Sequence, residues 1–136
     1  MIRVSVVLGY VDRPEARAAL EQALCVVRRT GERLVVVSAR APDAAARATG
    51  PGSRTGLADV EERLTRESVP HAVLRPSRGG RPVDELREAV MANRARLLVI
   101  GMRSGPLLGR LLRGSTAQAL LLDPPCDVLV VRAGSR

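Results

Sequence analysis

Five short apolar runs, set apart by stretches whose apolar residues recur at helical spacing, constrain this chain more than any other feature of it. Val4 to Leu8 is continuous and ends at Gly9, as a strand buried on both faces would. Leu34 to Val37, His71 to Leu74, Leu97 to Ile100 and Val128 to Val131 repeat the pattern. Between the first two runs, Pro14 and Glu15 open a helix in which Ala16, Ala19, Leu20, Ala23, Leu24 and Val27 share one side until Gly31 stops it. Leu57, Val60 and Leu64 mark a second helix, Val83, Leu86, Ala89 and Val90 a third behind Pro82, and Thr116 to Leu122 a fourth. Arg40 to Gly56 holds Pro42, Gly50, Pro51, Gly52 and Gly56 and reads as a long mobile loop; Arg75 to Arg81 reads as a Pro- and Gly-rich connector. Strands alternating with helices predict an α/β chain whose parallel sheet carries helices on both faces, joined by right-handed crossovers.

A chain of 136 residues is expected to form one domain over residues 1–136. Its core has to be built from Val, Leu, Ala and Ile, because aromatic residues make up 1% of the chain and Tyr10 is the lone example. Every basic residue is Arg, 22 against 14 carboxylates, for a formal charge of +8. Such a charge attracts anions without selecting among them. The arginines are scattered along the chain and no rings stand ready to stack bases, which argues for a solvated basic surface and against a specific nucleic-acid partner. The opening MIRVSVVLGY is too short an apolar run to span a bilayer and lacks a small-residue cleavage site, so it reads as a first strand, with no membrane attachment expected. Cys25 and Cys126, far apart in sequence and in apolar surroundings, read as buried thiols of a reducing cytoplasm; two such residues make neither a metal site nor a redox pair.

In a sheet of this kind ligands lie beyond the carboxyl ends of the strands, where the strand order reverses. The stretch GMRSGPLLGRLLRGSTAQ, residues 101–118, leaves one such end and runs into the fourth helix. Gly101 and Gly114 give the backbone freedom, and the free amides of Ser115 and Thr116 at the positive end of a helix dipole suit an anion. Arg103, Arg110 and Arg113 lie close enough in sequence to add charge-assisted contacts. The stretch is neither a Walker A loop nor a GxGxxG fingerprint. Ser115-Thr116-Ala117-Gln118 equally fits a capping box that needs no ligand, and the two roles are compatible, since capping uses the Ser115 side chain and a phosphate would use backbone amides.

With GMRS, nine residues, then GS, and the closing CDVLVVR, the chain resembles the universal stress protein family over about residues 2–132. The order of elements and the turn from Gly9 to Pro14 carry the likeness further. It implies a flavodoxin-like, doubly wound sheet of five parallel strands ordered 3-2-1-4-5, and a homodimer joined through the last strand. Nucleotide-binding members of that family carry Gly-x-x-Gly, nine residues, then Gly-Ser/Thr, with an Asp at the end of the first strand, and their ligand is usually ATP. Gly101, Gly114 and Ser115 match that pattern, and Ser104 stands at the second glycine. Ungapped alignment through Pro14 puts Val11 at the Asp position; a shift of one residue puts Asp12 there, and Asp12 also reads as a cap of the first helix with Glu15 three residues on.

The expected ligand is therefore ATP, accompanied by Mg2+, between the ends of the first and fourth strands. Its phosphates would lie on the amides of Gly114, Ser115 and Thr116, beside Gly101, Met102 and Ser104, with Arg103 as counter-charge. Its adenine would lie against Gly9, Tyr10, Val11 and Asp12 and the end of the second strand near Ala39. Tyr10 could stack on that base, but half-buried packing with its hydroxyl in water is the preferred reading. His71 has no evident partner for general-base work, and Asp59, Glu61, Glu62, Asp84, Glu85 and Glu88 read as solvated charges on polar helix faces. The expected role is that of a cytoplasmic regulatory protein that senses or signals and is not an enzyme; an ATP-hydrolysing enzyme would need a base and a metal-binding carboxylate pair. The alternative is a dimeric interaction module that has lost its nucleotide. Val128 to Val131 at a sheet edge, flanked by Asp127 and Arg132, favour a homodimer through that strand.

Overall fold

A computed structural model describes residues 5–10, 14–38, 52–75, 82–102 and 115–132. The chain order is β1 (Ser5–Tyr10), α1 (Pro14–Thr30), β2 (Arg33–Ser38), α2 (Gly52–Arg66), β3 (His71–Leu74), α3 (Pro82–Ala92), β4 (Ala95–Met102), α4 (Ser115–Leu122) and β5 (Asp127–Arg132). The strands form one sheet in the order β3-β2-β1-β4-β5, with every pairing parallel. This is the doubly wound order that the resemblance implies.

Period-two alternation sorts the side chains of the central strands onto two faces. Val6, Leu8, Tyr10, Leu34, Val36 and Val99 pack with the apolar stripes of α1 and α2. Val7, Val35, Val37, Leu98 and Ile100 pack on the other side with α3 and with Leu120 of α4. The stripes predicted for α1 and α3 are buried at every position, because an amphipathic helix on a sheet gains stability only from the face it covers.

The helix ends are closed by backbone turns. Gly31, at φ 75°, seats its N–H on the Val27 carbonyl at 2.7 Å, ending α1 where the sequence placed its stop. α2 ends in a Schellman turn, with Ser68 at φ 57° donating to Thr65 and Val69 donating to Leu64 at 2.9 Å. Ser5, buried at the start of β1, donates from Oγ to the Asn93 carbonyl at 2.7 Å, fixing that strand to the turn between α3 and β4.

Several expectations need correction. Gly9 does not end the first strand, which continues through Tyr10, since a ladder of backbone hydrogen bonds does not require a side chain. Gly101 likewise belongs to β4, which runs on to Met102. Residues 52–56 of the stretch read as a mobile loop over 40–56 belong to α2, and residues 40–51 lie outside those described. Ser115 is inside α4 rather than before it; the side chains of the capping box lie outside the described ones. Tyr10 is 4% exposed, not half-buried. Neither cysteine is a fully buried thiol. Cys25 is exposed, being one residue and so about 100° around the helix from Leu24. Cys126 is half-buried, and that burial, followed by the negative charge of Asp127, raises its pKa.

Candidate functional site

From β1 the chain moves outward to β2 and β3, then returns to the far side of β1 for β4 and β5, so the order reverses between β1 and β4. A crevice outside the carboxyl ends of these two strands is the standard ligand position of such a sheet. Gly9 is in register with Ile100 across the β1–β4 pair, Gly101 with Val131 and Met102 with Arg132. Tyr10 is in register with Ser38, the last residue of β2. α4 returns from β4 toward the start of β5, so its first turn, Ser115 and Thr116, is at this same end. Gly9, Tyr10, Gly101, Met102, Ser115 and Thr116 are thus gathered at one end of the sheet. Val11, Asp12, Ala39, Arg103, Ser104 and Gly114 lie outside the described residues, as do Arg110 and Arg113.

Each strand end has its own packing reason. A Cβ on Gly9 would stand 3.2 Å from Leu86 Cδ2 and 3.5 Å from Ile100 Cγ2, so the missing side chain lets α3 lie close on the sheet. The Tyr10 ring turns into the α1–α2 side of the core, and with 4% exposure it offers no face on which a base could stack.

α4 is short, with eight residues. Leu120, fully buried, anchors it against the α3 layer. Arg87 of α3 supplies a second tie, through a 3.0 Å hydrogen bond to the Ala119 carbonyl and a 3.5 Å approach to the Asp123 carboxylate. Sequence reading missed Arg87. Nothing in its local pattern distinguishes it from any other basic residue beside an apolar stripe.

The carboxylates with displaced protonation lie elsewhere. Hydrogen bonds from Arg63 hold Glu21 below its ordinary range, and those from Arg96 do the same for Glu32. His71 donates from Nδ1 to the Val69 carbonyl at 2.7 Å. Among the described residues no three of His, Cys, Asp and Glu come together as a metal-binding group. None of the helices among them is long and apolar enough to cross a membrane.

The universal stress protein family model matches residues 4–132. A curated relative, "Universal stress protein" from Mycolicibacterium smegmatis, is 39% identical over 128 residues, spanning 93% of this chain and 96% of the relative. Among solved structures, a universal stress protein from Archaeoglobus fulgidus aligns with TM-score 0.72 at 20% identity, covering 96% of this chain and 99% of that one. Another from Archaeoglobus fulgidus, described as a complex with dAMP, aligns with TM-score 0.69 at 17% identity over 96% and 99% of the two chains. A universal stress protein described as a complex with cAMP aligns with TM-score 0.67 at 19% identity over 98% of this chain and 100% of that one.

Proposed function

The chain belongs to the universal stress protein family, and from that premise we propose that it binds an adenine nucleotide, ATP in our reading, at the carboxyl ends of β1 and β4. The observation that carries the reading is the meeting, at the point where strand order reverses, of two glycine-bearing strand ends with the first turn of α4. A glycine at position 101 keeps side-chain bulk away from the end of β4, and the free amides at the head of α4 suit a phosphate. Relatives of this fold described with dAMP or cAMP fit the same ligand class.

In this reading the phosphates take the amides of Gly114, Ser115 and Thr116, with Gly101, Met102 and Ser104 beside them and Arg103 as counter-charge. The adenine lies over the backbone of Gly9 to Asp12 and near Ala39, held by shape and hydrogen bonds, because the Tyr10 ring is committed to the core. Mg2+ arriving with ATP would be held chiefly by the phosphates and water, as that cation usually is beside a nucleotide. We read residues 1–136 as one regulatory domain acting in the cytoplasm as a homodimer joined through β5. Val128 to Val131 of that edge strand are all half-buried in the single chain.

Mass spectrometry of nucleotide carried through purification under native conditions tests this reading. An adenine nucleotide released on denaturation is expected. Ser104→Gly, which restores the family's glycine, is expected to tighten ATP binding. A preparation that carries no nucleotide and takes up none at millimolar ATP overturns the reading.

A further inference from the structure

Because every helix of the sheet returns antiparallel to the strands, the helix C-termini and strand N-termini collect at the end opposite the proposed nucleotide crevice. Arginines scattered through the sequence are thereby brought together. α1 ends in Arg28 and Arg29, α2 in Arg63 and Arg66, β2 begins at Arg33, and Arg94 and Arg96 bracket the start of β4. Three of these are answered by carboxylates. Arg28 and Arg63 pair with Glu67, Arg63 also with Glu21, and Arg96 grips Glu32 through two hydrogen bonds of 2.7 and 2.6 Å. Arg29, Arg33, Arg66 and Arg94 are exposed, and among the described residues no carboxylate stands within ion-pair distance of any of them.

Helix-dipole compensation accounts for basic residues in a last helical turn, which covers Arg29 and Arg66. It does not account for Arg33, which opens a strand. Nor does it account for Arg94, held at φ 51° in a left-handed seat that favours glycine or asparagine. The register puts these two close together: Arg33 is opposite Ser5, Ser5 is opposite Ala95, and Arg94 directly precedes Ala95. The short Glu32–Arg96 pair crosses the same edge and Asp127 also acts on Arg96, so these two carboxylates answer Arg96 and form no ion pair with Arg33 or Arg94.

We propose that this end is a docking surface for the phosphate backbone of a nucleic-acid duplex. Guanidinium forks match phosphate oxygens in pairs, and the four exposed ones have no ion pair among the described residues. A duplex fits better than a single strand, since the lone aromatic ring is buried and no stacking platform for bases exists. It also fits better than a protein partner. Met91 and Leu122 are exposed in the last turns of α3 and α4 at this same end, but neither is aromatic and the chain's one aromatic ring, Tyr10, is buried, so no aromatic anchor of the kind protein interfaces rely on stands beside the guanidinium groups. Recognition here is of backbone charge, without base reading.

The test is binding of the full chain to a 20-base-pair DNA duplex, followed by fluorescence anisotropy across a salt series. Four phosphate contacts predict a slope of log K against log salt of about −3.6. Arg33→Gln with Arg94→Gln is expected to halve that slope and to weaken binding at low salt by at least about tenfold. Arg17→Gln with Arg75→Gln removes the same charge from the opposite end and should leave slope and affinity near wild type; circular dichroism confirms that each variant is folded. Equal losses in the two variants reduce the effect to net charge and overturn the proposal, as does failure of the wild type to bind at tens of micromolar. A polyglutamate peptide of equal charge that binds this edge more tightly than the duplex also overturns it and reassigns the surface to an acidic protein segment.

Discussion

The Arg87 side chain crosses from α3 to donate a hydrogen bond to the Ala119 carbonyl at 3.0 Å, tying the layer below the sheet to the short helix whose first turn opens the proposed phosphate seat. Leu120 fixes the depth of that helix, and Arg87 fixes where it sits along α3. Arg87→Met keeps most of the stem and removes the guanidinium, so it is expected to cost about 1 kcal/mol, a fall in Tm of a few degrees. If α4 holds phosphate, ATP affinity falls several-fold in the same variant and Arg87→Lys recovers part of it. A variant with reduced Tm but wild-type affinity would separate Arg87 from the site.

Gly9 sets how closely α3 approaches the sheet. Gly9→Ala gains backbone rigidity but drives a methyl to 3.2 Å from Leu86 Cδ2, in a layer where Leu86 is 2% exposed and has little room to give. Overpacking outweighs the gain, and a net loss of about 1 kcal/mol is expected in chemical denaturation. Combining it with Leu86→Val should recover part of that loss.

Much of the fold is legible in the sequence because one-sided burial writes a period into it. Leu86, Ala89 and Val90 announce α3, and Leu20, Leu24 and Val27 announce α1, since each helix is held chiefly by the stripe it covers. Residues without a side chain to place are where reading fails. Gly9 and Gly101 look like strand stops, yet backbone pairing carries both strands past them. Gly52 looks like loop, yet the helix that Leu57, Val60 and Leu64 fasten to the core extends back to it. For the candidate site, local pattern supplies the glycines and the head of α4. The reversal of strand order that brings them together is a property of topology, which no window of the sequence contains, and only the family resemblance implied it. The Arg87 tie joins residues 32 apart in sequence and has no local signature at all.

Acid should expose the Glu32–Arg96 pair. Hydrogen bonds from Arg96 lower the Glu32 pKa from 4.5, so the folded protein favours the ionised carboxylate more than the unfolded chain does. The stability this contributes is complete above 4.5 and is lost as pH falls through the lowered folded-state pKa. Glu32→Gln is therefore expected to lower Tm at neutral pH and to converge with wild type in stronger acid. A constant difference between the two at every pH would remove the pair as the cause.

The β5 edge is tested by charge. Val130→Lys places an ammonium on a half-buried edge position, whereas Met91→Lys places one on a side chain already 73% exposed. Sedimentation at tens of micromolar is expected to show a dimer for wild type and Met91→Lys and a folded monomer for Val130→Lys. A dimer that survives Val130→Lys is not built on this strand.

The central claim, that the ends of β1 and β4 with the head of α4 hold an adenine nucleotide, is tested most directly by thermal unfolding with and without ATP. At about 100 times its dissociation constant ATP is expected to add about 2.7 kcal/mol, a rise in Tm of several degrees, and an equal concentration of inorganic triphosphate should add far less. A Tm unmoved by millimolar ATP would contradict the account.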